Sequence, residues 1–214
     1  MEWMLLASGR DYYFDGHMER PIDIEDIAHH LAMINRFGGA TLRPYSDAEH
    51  SLLCSEIAQR EGAAPILQWL ALMHDAHEFV TGDMSSPIKR VINKISDCAG
   101  GVRAWRIFES QHEQEMHRHF RVVGYFKSYA RDIHRIDGVA LATERRDLTK
   151  FNPATNAPWP VLRDLERDAV LPVDWVSLNS VEREAMTWRQ WKAAFLARHN
   201  ELAAQLPIKV EQAH

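Results

Sequence analysis

Residues 66–89 read ILQWLALMHDAHEFVTGDMSSPIK, and this stretch decides how we interpret the fold. Residues 66–73 are almost all apolar, which is typical of a helix buried in a protein core. A polar cluster follows at once and begins with the doublet His74-Asp75. Polar groups at the edge of a core need partners, and an imidazole and a carboxylate can share one divalent cation. The stretch therefore predicts a buried helix that ends in metal ligands.

Two more candidate ligands lie elsewhere in the chain. In residues 45–53, YSDAEHSLL, Ser46 and Glu49 have capping-box spacing, which places His50 about one turn into a helix. In residues 130–148, ARDIHRIDGVALATERRDL, apolar residues recur at helical spacing and Asp137 lies beside the apolar face. These two residues and the doublet predict a metal site of two nitrogens and two carboxylates from three helices.

Each of these residues also has an ordinary structural interpretation. Taken alone, His50 could be a capped histidine at the surface, and Asp137 could form an ion pair with Arg135 or Arg145. The four residues taken together favour the metal site, because the alternative requires a separate explanation for each of them.

The residues after the doublet have the chemistry of a hydrolytic site. Glu78 follows His74 by four residues, so on one helix both side chains would share a face. A carboxylate next to a metal site can take a proton from water, whose pKa a metal lowers. Gly82 is expected to end the helix, which would let Asp83 lean back over the site. The run Ser85-Ser86-Pro87 is typical of a helix start with free amides for an anion, and Lys89 adds positive charge.

Five segments of the chain resemble the HD-domain phosphohydrolase superfamily, whose pattern is a His, a His-Asp doublet and a distant Asp. Within it, the chain resembles the compact bacterial and phage enzymes of the 5'-deoxynucleotidase and deoxynucleoside triphosphate triphosphohydrolase group. The resemblance covers roughly residues 23–148. The segments are INRF (34–37), AEHS (48–51), HDAHE (74–78), TGDMSSPIK (81–89) and the helix that contains Asp137.

The resemblance implies a mainly α fold, an HD-domain helical bundle with the metal between helices. The implied cofactor is one divalent transition metal, Mn, Co, Ni, Zn or Fe, on His50, His74, Asp75 and Asp137. Glu78 and Asp83 would be catalytic, because the family uses these positions in the hydrolytic step. These relatives more often have Trp where this chain has Phe37, and a phenyl ring can still stack on a base. The implied substrate contacts are Arg36, Phe37, Ser86 and Lys89. His77 is a further candidate from its position next to Glu78, with a surface or core histidine as the alternative.

The expected activity is metal-dependent hydrolysis of a deoxynucleotide phosphate ester. The resemblance favours a deoxynucleoside 5'-monophosphate as substrate, and release of triphosphate from a deoxynucleoside triphosphate is the close alternative. A third interpretation, a non-catalytic nucleotide-sensing module, would need the metal ligands but not Glu78 and Asp83. A phosphodiesterase or nuclease would need a more basic groove or extra ligands for a two-metal centre.

Composition narrows the classes of protein that the chain can represent. Its 214 residues predict one domain, with a core at 23–148 and a C-terminal helical extension at 161–205. A net charge of −5 argues against binding to nucleic acid polymers. The two cysteines, Cys54 and Cys98, form no paired zinc motif and favour a reducing cytoplasm. The resemblance implies that this is the cytoplasm of a bacterium or a phage-infected cell. We expect a homo-oligomer without a membrane segment.

The remaining segments give weaker predictions. Residues 1–22 fit either a short strand or a packed arm, and FNPATNAPWP (151–160) predicts a connector. Its Trp159 could cover part of the pocket, but packing against the core is the favoured role for a tryptophan. A last helix is expected over residues 181–205. In the helix predicted over residues 102–120, His112, His117 and His119 lack the register of a zinc-binding helix, so we expect them on a solvated polar face.

Overall fold

The structure is a computed structural model that describes residues 2–15, 20–162 and 170–210. Within these ranges the fold is mainly α and is a helical bundle, as the sequence predicts. A two-stranded antiparallel sheet of β1 and β2 precedes the helices. The elements are β1 (Trp3–Leu5), β2 (Asp11–Tyr13), α1 (Ile24–Met33), α2 (Asp47–Arg60), α3 (Pro65–Met73), α4 (Glu78–Thr81), α5 (Ser86–Gly100), α6 (Ala104–His119), α7 (Val123–Ser128), α8 (Ala130–Leu148), α9 (Val181–Ala185) and α10 (Trp188–Ala203).

The core of the bundle lies around α2 and α3. Helix α3 is buried along most of its length, and Trp69 and Leu70 are fully enclosed. Helix α2 packs against α3, α8, α1 and α10, so it lies at the centre of the bundle. Because α2 has neighbours on several sides, even its polar residues Asp47, Glu49 and His50 are buried. Buried polar groups of this kind must find partners or bind ions.

The end of α3 corrects one prediction from the sequence. Glu78 does not share a helix with His74, because α3 ends at Met73 and residues 74–77 form a turn before α4. In this turn the amide of Ala76 donates to the carbonyl of Met73 at 3.1 Å, and that of Glu78 to Asp75 at 2.9 Å. Such i→i−3 bonds wind the chain more tightly than an α-helix. His74 and Glu78 therefore lie on different elements, and the predicted shared helix face does not form.

Two further boundaries shape the ends of the bundle. Asp23 caps α1, which ends at Met33, before the pair Gly38-Gly39. Residues 36–39 form a separate 3₁₀ turn in which Phe37 has a φ of 56°, a strained left-handed conformation for a residue with a side chain. The single helix expected over residues 181–205 is wrong. It is split into α9 and α10 because Met186 is extended and Thr187 starts a new capping box.

The histidines of α6 do not all lie on a solvated face. His112 is only 1% exposed, and its Nδ1 lies 2.9 Å from the hydroxyl of Tyr12. Tyr12 belongs to β2, so the strand alternative left open for residues 1–22 is the correct one. The part of the predicted C-terminal extension at 163–169 lies outside the described residues. No helix of the described chain is long and apolar enough to cross a membrane.

Candidate metal centre

The structure brings the four predicted metal ligands together. His50 Nε2 lies 3.4 Å from His74 Nε2, 3.6 Å from Asp75 Oδ2 and 3.4 Å from Asp137 Oδ1. His74 Nε2 lies 3.1 Å from Asp75 Oδ2 and 3.9 Å from Asp137 Oδ1. Ligand atoms around one cation with bonds of about 2 Å are expected at about these separations. The spacing therefore fits a single divalent ion.

Three elements hold these side chains in place. His50 lies in the first turn of α2, whose N-cap Ser46 accepts a hydrogen bond from the amide of Glu49. His74 and Asp75 follow α3, where the Nδ1 of His74 is held 2.9 Å from the carbonyl of Ala71. A histidine fixed through one nitrogen presents the other in a defined direction. Asp137 lies midway along α8.

The alternative ion-pair partners of Asp137 are used elsewhere. Arg135 binds Glu61 through both guanidinium nitrogens, at 2.8 Å for the longer bond. The guanidinium of Arg145 lies 4.6 Å from the ring centre of Phe151. The surface interpretation of His50 is also wrong, because its exposure is 0%. Asp137 is thus left facing the two histidines.

Cys54 belongs to this cluster, although the sequence interpretation assigned it no role. Its Sγ lies 3.5 Å from the Nε2 of His50, and it can join His50, His74 and Asp137 around one ion. Cys54 is one turn after His50 on α2, so the i,i+4 relation could have indicated it. The donor set of imidazole, carboxylate and thiol fits a transition metal such as zinc better than magnesium.

Glu144 is a second residue that the sequence interpretation missed. It is fully buried on α8, and its Oε1 lies 2.5 Å from the Nδ1 of His50 and 3.0 Å from the hydroxyl of Tyr45. A carboxylate that accepts from the far nitrogen of a histidine orients the ring and increases its basicity as a ligand. Glu144 follows Asp137 by seven residues, two helical turns, so the register of α8 places both on the same side.

The charges of the cluster suit a cation. Burial by itself lowers the pKa of His74, but Asp75 and Asp137 outweigh it and raise that pKa to about 9. Burial by itself would raise the pKa of Asp75 and of Asp137. The histidines that face these aspartates outweigh the effect of burial and hold the pKa of each carboxyl below its ordinary value. A cation would replace protons on the histidines, because ligand nitrogens must be neutral.

Replacement of Glu144 by glutamine is expected to weaken metal binding by roughly 10- to 100-fold while the fold is retained. The amide keeps the size of the side chain but loses the charge that orients His50. Competition with a chromogenic chelator measures the affinity. Glu201→Gln, at an exposed position of α10, is the matched control and should leave the affinity unchanged. Unaltered metal affinity in Glu144→Gln would contradict this role for Glu144.

A second group of acidic residues lies next to the first. Asp47, Glu78 and Asp83 each offer an oxygen within 4.8 Å of the others. Burial, together with Asp83 and Asp75, raises the pKa of Asp47 to about 8 although Arg36 opposes the shift. Burial and the neighbouring carboxylates also raise the pKa of Glu78 well above its ordinary value, although Lys89 at 3.4 Å opposes this.

Arg36 connects the two acidic groups. Its Nη1 lies 3.8 Å from Asp47 Oδ1 and 3.7 Å from Asp75 Oδ2, and its Nη2 lies 3.4 Å from Glu144 Oε2. Burial alone would lower the pKa of Arg36, but the carboxylates, Glu144 foremost, raise it above the ordinary value. Part of its charge is therefore used within the protein before any substrate binds.

The two groups open onto one pocket of about 690 Å³. This volume is within the range typical of small-molecule sites. Asp75, Glu78, Asp83 and Asp137 line it, and so do four of the five predicted substrate contacts: Arg36, Phe37, Ser86 and Lys89. His77 is the exception. It is 7% exposed, it is not among the described residues that line the pocket, and its Nε2 lies 3.9 Å from Glu109 Oε1.

Lys89 and the first residues of α5 lie at the pocket, where the sequence predicts a helix start that can bind an anion. Lys89 lines the pocket but also forms ion pairs with Glu78 and Glu109. Helix α5 begins at Ser86, and the side chain of its N-cap Ser85 makes no capping hydrogen bond. Ser85 and Ser86 both line the pocket. Their hydroxyls and the first amides of α5 are positioned for an anion there.

Three aromatic side chains also line the pocket. The ring of Phe37 lies 5.7 Å from that of Trp159, which in turn lies 5.9 Å from Phe151. All three rings line the pocket, and Trp159 and Phe151 come from the connector at 151–160. The sequence predicts a connector here and favours core packing for Trp159 over a position at the pocket, so its place in the pocket lining is the less expected outcome. Its contribution arises because the chain folds back over α8, which local sequence does not reveal.

Among the other arginines, Arg90 lines the pocket, together with Lys150. Arg10, Arg20 and Arg43 are used in ion pairs with Asp26, Glu115 and Glu49, respectively. Among the residues that the structure describes, the positive charges along the pocket are therefore Arg36, Lys89, Arg90 and Lys150.

Comparison with known proteins finds relatives but no described activity. An uncharacterized protein of Rhodobacter capsulatus is 43% identical over 96 residues, which are 43% of this chain and 49% of that protein, so the match spans about half of that relative. The uncharacterized Escherichia coli protein YfdR is 30% identical over 165 residues, which are 77% of this chain and 81% of YfdR. No protein-family model matches the chain.

Proposed function

The chain belongs to the same family as YfdR of Escherichia coli, and we propose that it is a metal-dependent phosphohydrolase that acts on deoxynucleotides. The substrate favoured is a deoxynucleoside 5'-monophosphate, cleaved to a deoxynucleoside and phosphate. The observation that carries the proposal is the convergence of His50, His74, Asp75 and Asp137 from distant parts of the chain. Asp75 and Asp137 also line the pocket. The resemblance to HD-domain phosphohydrolases supports the choice of nucleotide and of deoxyribose.

The donor set fits a divalent transition metal held by His50, His74, Asp75 and Asp137, with Cys54 beside them. When bound, such a metal polarises a phosphoryl oxygen and lowers the pKa of water. Glu144 orients His50 from behind. The histidines and carboxylates would thus hold the metal in a fixed position, and the ester phosphate would bind to that metal.

Glu78 and Asp83 would handle protons in the reaction. Glu78 lies at the pocket wall, and burial keeps the pKa of its carboxyl well above the ordinary value. A carboxyl group with a raised pKa can exchange protons near neutral pH, which an exposed glutamate does poorly. In this proposal Glu78 accepts a proton from the attacking water. Asp83 faces the same space and assists in positioning that water.

The remaining pocket residues would hold the substrate. Arg36, Lys89 and the amides at the start of α5 neutralise phosphate oxygens. The rings of Phe37 and Trp159 offer apolar faces on which a base can stack. A nucleotide requires both groups that bind phosphate and rings that stack on the base, and one pocket offers both here.

A second candidate activity is release of triphosphate from deoxynucleoside triphosphates. It is favoured by Arg90 and Lys150, which line the pocket in addition to Arg36 and Lys89. Their positive charges could bind the further phosphates of a triphosphate. The Arg90→Gln variant separates the two activities. It should weaken use of a triphosphate substrate by about tenfold and leave a monophosphate unaffected.

The decisive experiment is a product assay with the metal-loaded protein. Each deoxynucleoside monophosphate and triphosphate, and the matching ribonucleotides, is incubated and the released species identified. We expect phosphate from monophosphates, with deoxyribose preferred, or intact triphosphate under the second candidate. Pyrophosphate as the main product would contradict attack next to the sugar. Inactivity on every nucleotide with metal bound would favour a nucleotide-sensing module instead.

A further inference from the structure

We infer that Asp47, Glu78 and Asp83 form a second cation site, separate from the histidine cluster, for a hard divalent ion of the magnesium class. The inference deepens the proposed function, on which any catalytic role of the ion rests. Binding of the ion itself requires no substrate and is tested without one.

Asp47 is the first observation. It lies in the first turn of α2 with 0% exposure, and none of the described residues makes a hydrogen bond to either of its carboxylate oxygens. The nearest cationic nitrogen belongs to Arg36, at 3.8 Å, beyond hydrogen-bond distance. A buried carboxylate without partners is strongly unfavourable, because it loses its hydration and gains no hydrogen bond in return. A side chain of this kind implies a ligand.

Glu78 adds an independent observation of the same type. Its Oε2 is buried and has no hydrogen-bond partner among the described residues, while its Oε1 lies 3.4 Å from Lys89 Nζ. Asp83 lies across from it at the pocket wall. One oxygen from each of Asp47, Glu78 and Asp83 lies within 4.8 Å of the others. Oxygen ligands around a magnesium ion with bonds of about 2.1 Å are about 3–4 Å apart, so small side-chain adjustments suffice.

The charge of the region also calls for a second ion. Six carboxyl groups act on one another here: Asp47, Asp75, Glu78, Asp83, Asp137 and Glu144. Arg36 and a protonated His50 oppose the negative charge at Asp47, but a metal-bound His50 is neutral. Lys89 opposes the negative charge at Glu78 and is shared with Glu109. One divalent ion at the histidines would leave an excess of negative charge, which would repel a phosphate substrate. A second divalent ion removes the excess.

The chemistry of the donors separates the two sites. The first cluster contains imidazole nitrogens and a thiol, which favour zinc-like metals, whereas the second contains carboxylate oxygens alone. Oxygen-only sites favour magnesium and manganese, which keep several water ligands and often contact substrate phosphates. The cluster borders the pocket through Glu78 and Asp83. An ion there would neutralise the substrate phosphate and favour the ionised, proton-accepting form of Glu78.

Manganese binding tests the inference directly. The protein is first saturated with zinc, its metal content is measured, and Mn²⁺ is then titrated while free Mn²⁺ is followed by electron paramagnetic resonance. We expect one Mn²⁺ per chain in addition to zinc, displaced by excess Mg²⁺. If the zinc-loaded wild-type protein binds no Mn²⁺ at millimolar concentration, the second site does not exist.

Variants locate the ion. Asp47→Asn should weaken Mn²⁺ binding at least tenfold and retain zinc, whereas Asp137→Ala should lose zinc. Asp26→Asn is the matched control, because Asp26 is equally buried but bonded to Ser8 and Arg10. It should bind Mn²⁺ as the wild type does. Should Asp47→Asn fail to fold, Asp83→Asn, at the pocket wall, serves in its place.

Absence of the second cation site and failure of the proposed function give different experimental results. Wild-type Mn²⁺ affinity in both Asp47→Asn and Asp83→Asn would overturn the assignment of the site. A protein that binds the second ion as described, yet is inactive on every nucleotide, supports the cation site and contradicts the proposed hydrolase.

Discussion

The Asp137→Ala variant is expected to lose tightly bound transition metal, with affinity lower by roughly 100-fold or more, and to lose hydrolytic activity with it. Asp137 is the ligand contributed by α8, 3.4 Å from His50 Nε2. Without Asp137, the remaining ligands are two histidines and Asp75. Only one of the two carboxylate charges that offset the charge of the metal is then left. Elemental analysis of the purified variant and competition with a chelator measure the effect.

The same variant is expected to unfold at a lower temperature than the metal-loaded wild type. A metal that binds the folded chain but not the unfolded chain raises the free energy of unfolding. The increase is about 2.7 kcal/mol when the metal concentration is 100 times the dissociation constant. The control is Asp132→Ala on the same helix, which is predicted to keep both metal and melting temperature. Full retention of metal in Asp137→Ala would remove Asp137 from the ligand set.

The Glu78→Gln variant is expected to fold and keep its transition metal, but to turn over substrate roughly 10²-fold or more slowly. The amide matches the carboxylate in size and cannot accept a proton. Glu78 lies among Asp47, Asp83 and Lys89, outside the histidine cluster, so the metal frame should be unaffected. Steady-state kinetics at saturating substrate, with metal content measured on the same sample, test the prediction.

Glu56→Gln provides the control for Glu78→Gln, since Glu56 forms an exposed pair with Arg60. Such pairs contribute little to stability, so wild-type turnover is expected. If Glu78→Gln has wild-type turnover, Glu78 is not the proton acceptor. If it instead loses transition metal, Glu78 supports the metal frame and the proposed division of roles is wrong.

Several features of the site could be predicted from local sequence because helical register determines them. Ser46 capped α2 and placed His50 in its first turn, and the apolar face of α8 placed Asp137 beside the core. Cys54 and Glu144 obey the same register, one turn after His50 and two turns after Asp137. They were missed because a lone cysteine or a helical glutamate ordinarily has a structural or solvent role.

The position of Glu78 could not be read from the same register. The four-residue spacing from His74 predicted a shared helix face, whereas residues 74–77 form a tighter turn. The polar residues of this turn can satisfy backbone groups in either geometry, so local propensity does not choose between them. The packing of α3 and α4 against the rest of the bundle makes that choice.

The sequence by itself determined the helical fold class, the buried helix that ends in His74-Asp75 and the helices that carry His50 and Asp137, because apolar periodicity and caps act over a few residues. Tertiary structure alone decided that these side chains meet, that Trp159 and Phe151 reach the pocket, and that Asp47 is buried beside Glu78 without a hydrogen-bond partner. The physical reason is separation along the chain. Contacts between residues about 100 positions apart depend on the packing of whole helices, which no local pattern encodes.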